Sequence, residues 1–297
     1  MNDHSSITIL TAVDDRYVVP LAVMLRSLCS SLAVGSLVDV RLMTTGLNKA
    51  SRRGLESALA GLPMTLQIVT VDRILLEGLK IDGHISSDTY LRLYAPDYLP
   101  DVDKILYLDS DLLVRHSLHE IYHTDFAGAH VLAVPHISRR SAFFGAERGV
   151  PSYSQLGIAA STRTFNAGVM LMALERWRET KTTSAIVEYL RRYREKVLWW
   201  DQDGLNAVLH AKWKSLPAKW NVMTSHFAEF RSWDDSLLDR DTFEAVYGNP
   251  GIIHFSTGRK PWHGNYQGPY KELWKMAFEE ISHHFDLDFS TFGGVTR

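Results

Sequence analysis

The first 108 residues alternate between short apolar runs and segments with helical periodicity, and this alternation constrains the fold more than any other feature. The apolar runs predict β-strands at residues 7–12, 38–43, 66–71 and 104–108. Helices are predicted after Pro20, at residues 49–59 and at residues 89–98. The fourth run is almost entirely apolar, as in a parallel strand that is buried on both faces. The order therefore predicts an α/β fold with a Rossmann-like, mainly parallel, twisted sheet flanked by helices.

The composition is that of an ordinary globular protein, and it excludes some classes of function. The 297 residues include 45% hydrophobic and 22% charged residues, a balance that lets one large domain bury a core. The net charge of −2 provides no basic field, so we expect no nucleic-acid partner. The single cysteine, Cys29, excludes an internal disulfide.

Neither end of the chain carries a targeting or membrane-anchoring pattern. The first residues, MNDHSSITIL, lack the basic and long apolar regions of a signal peptide. No run of 18 apolar residues predicts a transmembrane helix. The last residues, HHFDLDFSTFGGVTR, do not show the pattern of a basic amphipathic helix. We therefore expect a soluble, cytoplasmic protein with at most peripheral membrane contact.

An acidic pair follows the fourth predicted strand directly, in the sequence KILYLDSDLLV. Asp109 and Asp111 are two positions apart, so their side chains point to the same side of an extended chain. Open α/β sheets bind ligands at the carboxyl edge of their parallel strands. Two adjacent carboxylates repel each other, and a divalent cation is the natural way to keep both ionised. The pair therefore predicts a metal site, with a solvated acidic turn as the alternative.

Four other residues have side chains that suit a nucleotide and a metal. Asp14 follows the first predicted strand and can accept a hydrogen bond from N3–H of a uracil ring, on which Tyr17 can stack. A histidine such as His254, added to two carboxylates, makes a mixed nitrogen and oxygen site that suits Mn²⁺ better than Ca²⁺. Lys260 can pair with a diphosphate as a point charge. Asp14 as a helix cap and His254 as a structural histidine are the ordinary alternatives.

Residues 136–165 are polar, contain glycine and show no clear periodicity. We interpret them as an excursion over the site and as a candidate mobile lid. Regular structure resumes at residues 167–174 and in a helix at residues 182–196. Because no linker divides the chain, we expect one catalytic domain at residues 1–275, followed by a small C-terminal annex, a tail or helix, at residues 276–297.

Six ordered motifs make the chain resemble glycosyltransferase family 8, the retaining galactosyl- and glucosyltransferases of bacterial lipopolysaccharide synthesis and their glycogenin relatives. The resemblance runs from about Ile7 to Trp274 and rests on TAVDDRYVVPLAVMLRSL, SSDTYLRLYAPDYLP, KILYLDSDLLV, FNAGVMLMAL, WWDQDGLNAV and HFSTGRKPWH. It implies a GT-A fold, a UDP-sugar donor, and Mn²⁺ as cofactor with Mg²⁺ as the second choice. It also implies transfer of glucose or galactose to a hydroxyl of a saccharide acceptor, such as lipopolysaccharide core or another glycoconjugate.

The resemblance also implies roles for individual residues. The metal ligands would be Asp109, Asp111 and His254. The residues that contact the nucleotide sugar would be Ala12, Asp14, Tyr17, Arg92, Ser110, Asn166, Ala167, Asp201, Gln202 and Lys260. Among them, the residues with a part in catalysis would be Arg92, Asp201, Gln202 and Lys260.

Three positions depart from the family pattern. Thr257 stands three residues after His254, where glycine is common, and glycine follows at position 258. His136 stands where an acidic contact to the donor sugar is expected, which would change the sugar preference. Arg16 replaces a small polar residue and would change the contacts to the base or ribose.

The sequence favours attack by the acceptor on the same face that UDP leaves, because no convincing nucleophile is present. Asp201 and Asp203 are weak candidates, and the Gln202 amide is a poor nucleophile. Two alternatives stay open at this point. One is a haloacid-dehalogenase-type phosphatase, in which Asp109 is the nucleophile and Asp111 the acid and base. The other is a non-catalytic nucleotide-sugar-binding protein with the same fold.

Overall fold

Two β-sheets organise the computed structural model, which describes residues 6–82, 86–287 and 289. The strands are β1 (Ile7–Ala12), β2 (Val38–Thr44), β3 (Met64–Thr70), β4 (Lys104–Leu108), β5 (Leu112–Val114), β6 (Val131–Pro135), β7 (Phe165–Ala173), β8 (Trp213–Ser215), β9 (Val222–Met223) and β10 (Ile252–His254). The large sheet has the order β3-β2-β1-β4-β7-β6-β8, and the small sheet has the order β5-β10-β9.

Helices pack around these sheets. The α-helices of the described residues are α1 (Val18–Ser30), α2 (Lys49–Leu59), α3 (Ala95–Tyr98), α4 (His119–Tyr122), α5 (Leu174–Glu179), α6 (Thr182–Arg192), α7 (Trp200–Leu209), α8 (His226–Glu229), α9 (Arg240–Gly248) and α10 (Lys271–Glu279). Short 3-10 helices include Asp15–Tyr17, Ser87–Tyr94, Arg194–Lys196 and Ala218–Trp220.

The pairing of the large sheet confirms the predicted Rossmann-like, mainly parallel architecture. β1 is parallel to β2 and β4, and β2 is parallel to β3. β7 is antiparallel to its neighbours β4 and β6, whereas β6 is parallel to β8. β1, β4 and α2 have the bounds that the apolar patterns predict.

The helix predicted at residues 89–98 is present, but most of it is a 3-10 helix. Ser87–Tyr94 is a 3-10 helix, and only Ala95–Tyr98 is α-helical. Pro96 has no N–H group to donate to the carbonyl of Arg92, which accepts a bond from Ala95 three residues on instead. The proline therefore favours the tighter turn before it.

Two apolar cores cover the two faces of the large sheet. Ile9 and Leu106 point into a core that includes residues of α1, α2 and α10. Their neighbours Leu10 and Tyr107 point into a second core with residues of α5, α6 and α7. The alternation follows from the pleat of a strand, in which successive side chains lie on opposite faces. Burial on both faces leaves the carboxyl edge of the sheet as its accessible side.

Residues 136–165 reach the candidate site, as predicted, as a loop that folds on itself. The N–H groups of Phe144 and Gly145 donate to the carbonyl oxygens of Thr162 and Ala160, each at 2.9 Å. Phe144 is only 1% exposed, so its side chain anchors the loop in the second core. The mobility suggested for this segment stays a prediction.

The C-terminal residues pack against the main body of the chain. The expected boundary between residues 275 and 276 falls inside α10. Beyond it, Nδ1 of His284 lies 2.8 Å from the Ser57 hydroxyl, and the Phe285 ring lies against Gly54 of α2. Among the described residues, no helix is long and apolar enough to cross a membrane.

Candidate active site

The acidic pair and His254 come together where the chain passes from the large sheet to the small one. Asp109 follows β4, and Asp111 precedes β5. Antiparallel pairing of β5 with β10 places Leu112 opposite His254, and the N–H of Phe255 donates to the Asp111 carbonyl at 3.0 Å. Nε2 of His254 lies 3.4 Å from Oδ1 of Asp111 and 3.7 Å from Oδ2 of Asp109. The backbone thus holds together the three side chains that the sequence predicts as metal ligands.

These three residues fit a divalent cation. One ligand atom from each lies within 4.8 Å of the others, a spacing that a single ion can bridge. Gly168 of β7 leaves the necessary room, because a methyl group there would lie 2.5 Å from Cε1 of His254 and 2.7 Å from Oδ2 of Asp109. Two carboxylates and an imidazole form a donor set that suits Mn²⁺ or Mg²⁺ chemistry.

Each of the three residues also has a partner behind it. Oδ1 of Asp109 accepts hydrogen bonds from the Tyr107 hydroxyl at 2.7 Å and from Arg92 at 3.2 Å. Nδ1 of His254 lies 2.8 Å from Oδ1 of Asn221. Such partners hold ligand side chains in one orientation.

Lys260 is the partner of Asp111. Its Nζ donates to Oδ2 of Asp111 at 2.6 Å and to the carbonyl oxygen of Phe255 at 2.7 Å. Burial alone would raise the pKa of Asp111, but Lys260 and then His254 outweigh burial and hold that pKa well below its usual range. Burial alone would lower the pKa of Lys260, but Asp111 raises it above its usual value. The ion pair therefore persists at neutral pH.

Arg92 connects the acidic strand with α7. Its guanidinium lies 2.6 Å from Oδ2 of Asp201 and 3.2 Å from Oδ1 of Asp109, and it also donates to the Ala167 carbonyl at 2.7 Å. Burial alone would lower the pKa of Arg92, but the charge of Asp201 in particular raises it above its usual value. One buried cation therefore orders two carboxylates on different elements.

Asn166, Ala167 and Gln202 form a cluster of amides beside this cation. Oε1 of Gln202 accepts bonds from Nδ2 of Asn166 and from the N–H of Ala167, both at 3.0 Å. Nε2 of Gln202 lies 3.3 Å from Nε2 of His136. The fixed amides present donors and acceptors of the kind that recognise sugar hydroxyl groups.

A cavity of about 350 Å³ joins these groups. The residues of its lining that the sequence singles out are Arg92, Asp109, Asp111, His136, Asn166, Ala167, Asp201, Gln202, His254, Thr257 and Lys260. The structure thus brings together all three predicted metal ligands and all four predicted catalytic residues.

Four predicted nucleotide contacts lie outside this lining. Ala12 ends β1, and Ser110 is buried between the two acidic residues. Tyr17 meets the edge of Trp262, with ring centroids 6.0 Å apart. Asp14 accepts bonds from Nε and Nη2 of Arg16 at 2.9 and 2.7 Å, so Arg16 occupies the carboxylate that is predicted to meet the base.

Two buried histidines of the same lining are neutral at physiological pH. Burial lowers the pKa of His136 to about 4 and the pKa of His226 to about 3. Nδ1 of His226 lies 2.7 Å from the Tyr247 hydroxyl. Within the described part of the chain, Nδ1 of His136 and Nε2 of His226 are buried without a hydrogen-bond partner. Such nitrogens are suited to bind a polar ligand in the cavity.

The residues that sequence reasoning misses include Gly168, Asn221 and His226. Gly168 lies within the motif FNAGVMLMAL, but its role in leaving room for His254 is evident only from the structure. Asn221 and His226 lie outside all six motifs. No local pattern marks them, because their partners are distant in sequence.

Comparison with known proteins identifies the family. The family model described as glycosyl transferase family 8 matches residues 8–266 of this chain, well over half of its length. The chain belongs to glycosyltransferase family 8. Among relatives of this family 8 protein, general stress protein A of Bacillus subtilis (strain 168) is 25% identical over 268 residues, which cover 89% of this chain and 90% of that protein. Glycosyltransferase GlyD of Streptococcus pneumoniae serotype 4 is 31% identical over 219 residues, which cover 69% of this chain and 23% of GlyD.

A solved structure agrees with this assignment. The galactosyltransferase LgtC, in complex with donor and acceptor sugar analogues, superimposes with a TM-score of 0.77 and 26% identity. The match covers 92% of this chain and 95% of LgtC. The expected family and GT-A fold are therefore confirmed. Both the sequence match and the fold support a glycosyltransferase. The phosphatase interpretation of Asp109 and Asp111 is not supported.

Proposed function

We propose that this family 8 glycosyltransferase moves a hexose, glucose or galactose, from UDP-hexose to a hydroxyl group of a saccharide or glycoconjugate acceptor. The configuration of the anomeric carbon is retained, and Mn²⁺, or Mg²⁺ in its place, is the cofactor. One observation carries the proposal: the cluster Asp109, Asp111 and His254 opens into the same cavity as Arg92 and Gln202. A lipopolysaccharide core is one acceptor of the proposed class.

Asp109, Asp111 and His254 would hold the metal, which supplies Lewis-acid stabilisation to the diphosphate of the donor when bound. Lys260 lies against Oδ2 of Asp111, at the border of the cavity. A lysine at that place can contribute a second positive charge to the departing UDP. This arrangement supports the predicted role of Lys260 as a diphosphate contact.

The uridine is assigned to the carboxyl end of β1, at Ala12, Asp14 and Tyr17. Burial raises the pKa of the Tyr17 phenol, and the charges of Lys260 and Asp111 act on that pKa in opposite directions, which supports a position of Tyr17 near the proposed diphosphate contact. Asp14 would exchange its bonds with Arg16 for the base. Ser110, which lies between the two acidic ligands, is the remaining proposed contact.

The donor sugar is assigned to the amide cluster. Gln202 is held by Asn166 and Ala167, and Arg92 donates to the carbonyl of the same Ala167. Fixed donors and acceptors cost little reorganisation when a sugar binds. The neutral His136 behind Gln202 replaces the expected acidic contact, so glucose and galactose need to be compared directly.

Retention is proposed to follow front-face attack, because each carboxylate of the cavity lining already has a strong partner. Asp201 is paired with Arg92, and Glu229 accepts bonds from Arg148 and from the Ser138 hydroxyl. Asp109 and Asp111 have the partners described above. In this scheme the bond from the anomeric carbon to the UDP oxygen breaks, a bond to the acceptor oxygen forms on the same face, and the proton of the acceptor hydroxyl passes to the departing UDP oxygen.

Asp203, the other nucleophile considered from the sequence, does not line the cavity. Its Oδ2 accepts bonds from the N–H groups of Leu198 and Trp199 at 2.7 and 3.3 Å. Burial raises the pKa of Asp203 to about 7, so a large fraction of this carboxyl group is protonated at neutral pH. Asp203 therefore has a structural role at the start of α7.

A titration of UDP with and without Mn²⁺ tests the proposal. We expect UDP to raise the melting temperature of the wild-type protein only when Mn²⁺ is present, because ligands of the native state stabilise it by mass action. The double variant Asp109→Asn/Asp111→Asn should lose this stabilisation, and Asp234→Asn, at an exposed acid outside the cavity, should keep it. The wild type should then release UDP from UDP-glucose or UDP-galactose when an acceptor is supplied.

Two results would contradict the proposal. A folded wild type that gives no shift with saturating UDP and Mn²⁺ would remove the donor assignment. Metal-dependent UDP binding without transfer from either sugar to any of a panel of saccharide acceptors would favour the non-catalytic binding protein.

A further inference from the structure

Asn221 joins the candidate metal site to the amide cluster through side-chain hydrogen bonds. Its Oδ1 lies 2.8 Å from Nδ1 of His254, and its Nδ2 lies 2.8 Å from Oδ1 of Asn166. Asn166 continues the chain to Gln202, with 3.0 Å between Nδ2 and Oε1. Asn221 is only 3% exposed, so its bonds to the protein are shielded from water.

Two backbone N–H groups fix the direction of these bonds. A backbone N–H can only donate, so the side-chain atom that it meets must be an oxygen. The N–H of Gly168 meets one end of the Asn166 amide at 2.9 Å, and the N–H of Ala167 meets one end of the Gln202 amide at 3.0 Å. Asn166 therefore turns its oxygen to Asn221 and its NH₂ group to Gln202.

The same direction continues to His254. Because Asn166 offers an oxygen, Asn221 turns its NH₂ group there and its own oxygen to Nδ1 of His254. An oxygen only accepts, so Nδ1 carries a proton and Nε2 is the ring nitrogen that is left to bind a cation. Nε2 is the nitrogen that lies 3.4 Å from Asp111 and 3.7 Å from Asp109. The nitrogen that can bind a cation thus faces the candidate cation site.

The backbone holds Asn221 where this bond requires it. Asn221 lies directly before β9, which pairs in parallel with β10, so that Met223 is opposite His254. The N–H of Asn221 donates to the carbonyl of Ala218 at 3.2 Å. Two neighbouring strands therefore carry the donor and the acceptor of the bond, and no loop movement is needed to form it.

We propose that Asn221 is a positioning residue for divalent-cation binding, which fixes the tautomer of His254 that directs Nε2 at the cation. The inference rests on the proposed metal-dependent function, and Asn221 itself touches neither cation nor sugar. Loss of partners of this kind lowers metal affinity by about 10- to 100-fold in proteins.

The affinity for Mn²⁺ alone, without nucleotide, tests the inference in Asn221→Leu and Asn221→Asp. Free Mn²⁺ is followed by its electron paramagnetic resonance signal. Leucine has nearly the same shape as asparagine but no acceptor. We therefore expect the dissociation constant for Mn²⁺ to rise by about 10- to 100-fold in Asn221→Leu. Aspartate still accepts from Nδ1 of His254, so its affinity should stay within about 3-fold of the wild type or become tighter.

A second asparagine and histidine pair provides the control. Oδ1 of Asn249 lies 3.1 Å from Nε2 of His116 in an exposed position, and Asn249→Leu should bind Mn²⁺ like the wild type. Wild-type affinity in Asn221→Leu, or equal losses in the Leu and Asp variants, would overturn the inference while leaving the proposed function intact. A wild type that binds neither Mn²⁺ nor Mg²⁺ would instead contradict the proposed function.

The tautomer itself is measurable in the wild type, even if the leucine variant does not fold. Long-range ¹H–¹⁵N spectra distinguish a protonated ring nitrogen from one with a free lone pair, and a His254→Gln variant assigns the signals. We expect a protonated Nδ1 in the wild type. An unprotonated Nδ1 would overturn the inference.

Discussion

Nζ of Lys260 donates a hydrogen bond to Oδ2 of Asp111 at 2.6 Å, so a predicted cation ligand is already paired with a positive charge inside the protein. The Lys260 side chain is 5% exposed and the Asp111 side chain 12% exposed, which makes this a buried ion pair. A divalent cation and Lys260 therefore compete for one carboxylate. The same lysine is proposed to contact the diphosphate, so its removal should act on metal and nucleotide with opposite sign.

Lys260→Met should weaken the metal-free protein and strengthen its response to Mn²⁺. Removing one partner of a buried pair destabilises a protein by about 3–5 kcal/mol, because the other charge stays buried without compensation. Mn²⁺ can supply that compensation, so the rise in melting temperature with Mn²⁺ alone should exceed that of the wild type. UDP should bind at least 10-fold more weakly in the presence of Mn²⁺, as isothermal titration calorimetry would show.

The control for this prediction is Lys219→Met, which removes an exposed ion pair with Glu120 at 3.0 Å. Exposed pairs contribute only about 0–1 kcal/mol, so this variant should resemble the wild type in all three measurements. Weaker binding of both Mn²⁺ and UDP in Lys260→Met would show that Lys260 does not compete with the cation.

Gly168→Ala should weaken metal binding through a single methyl group. The added carbon would lie 2.5 Å from Cε1 of His254 and 2.7 Å from Oδ2 of Asp109, so both side chains would have to move. We expect a stability loss of about 1–3 kcal/mol, typical of overpacking, and a loss of Mn²⁺ affinity of more than 10-fold. Gly248→Ala, which meets no atom within 4 Å, is the matched control. Unchanged Mn²⁺ affinity in Gly168→Ala would place the cation elsewhere.

The sequence predicts the part of the fold that local patterns determine. β1, β4 and α2 have the predicted bounds because each carries its own local pattern, an apolar run in the two strands and helical periodicity in α2. The acidic pair is predicted as a site because it ends a buried strand of a parallel sheet, where ligands bind. These signals need no knowledge of distant residues.

Long-range pairing explains what the sequence does not predict. The small sheet joins β5 to β10, and the contact between Asp111 and Lys260 spans 149 positions of the chain. The bond between Asn221 and His254 depends on the same sheet, and neither residue type nor spacing indicates it. The bond between Arg16 and Asp14 is local in sequence, but it depends on side-chain geometry that the sequence does not show.

The contribution of His226 to the stability of the protein should fall as the pH decreases from about 6.5 towards 4. Burial lowers the pKa of His226 to about 3, below its usual value of about 6.5, so the unfolded chain binds a proton that the folded chain excludes. The contribution of the neutral His226 to the free energy of unfolding is complete above pH 6.5 and is lost as the pH falls. For His226 alone the loss at pH 5 is about 2 kcal/mol, since each pH unit below 6.5 costs about 1.4 kcal/mol.

Urea unfolding of wild type and His226→Asn between pH 8 and pH 5 checks this contribution. The Asn amide can still accept from the Tyr247 hydroxyl but does not titrate. The difference in unfolding free energy between the two proteins should shrink as the pH falls, by about 2 kcal/mol at pH 5. A difference that stays constant with pH would show that His226 titrates normally in the folded state.

Asp201→Asn and Gln202→Ala should both lower transfer without trapping a glycosylated protein. Asp201 is held 2.6 Å from Arg92 and its side chain is 3% exposed, whereas the Gln202 amide is occupied by Asn166 and Ala167. Neither group is free to form a covalent bond with the anomeric carbon. The variants should therefore orient the donor sugar less well, but they do not lose a nucleophile. We expect kcat to fall by about 10- to 1,000-fold, the range seen when one fixed polar group of an active site is removed.

Intact-mass spectrometry after incubation with UDP-glucose or UDP-galactose should show only the unmodified chain. A mass increase of one hexose in either variant would mean that a carboxylate forms a covalent intermediate, and retention would then require two displacements in place of front-face attack.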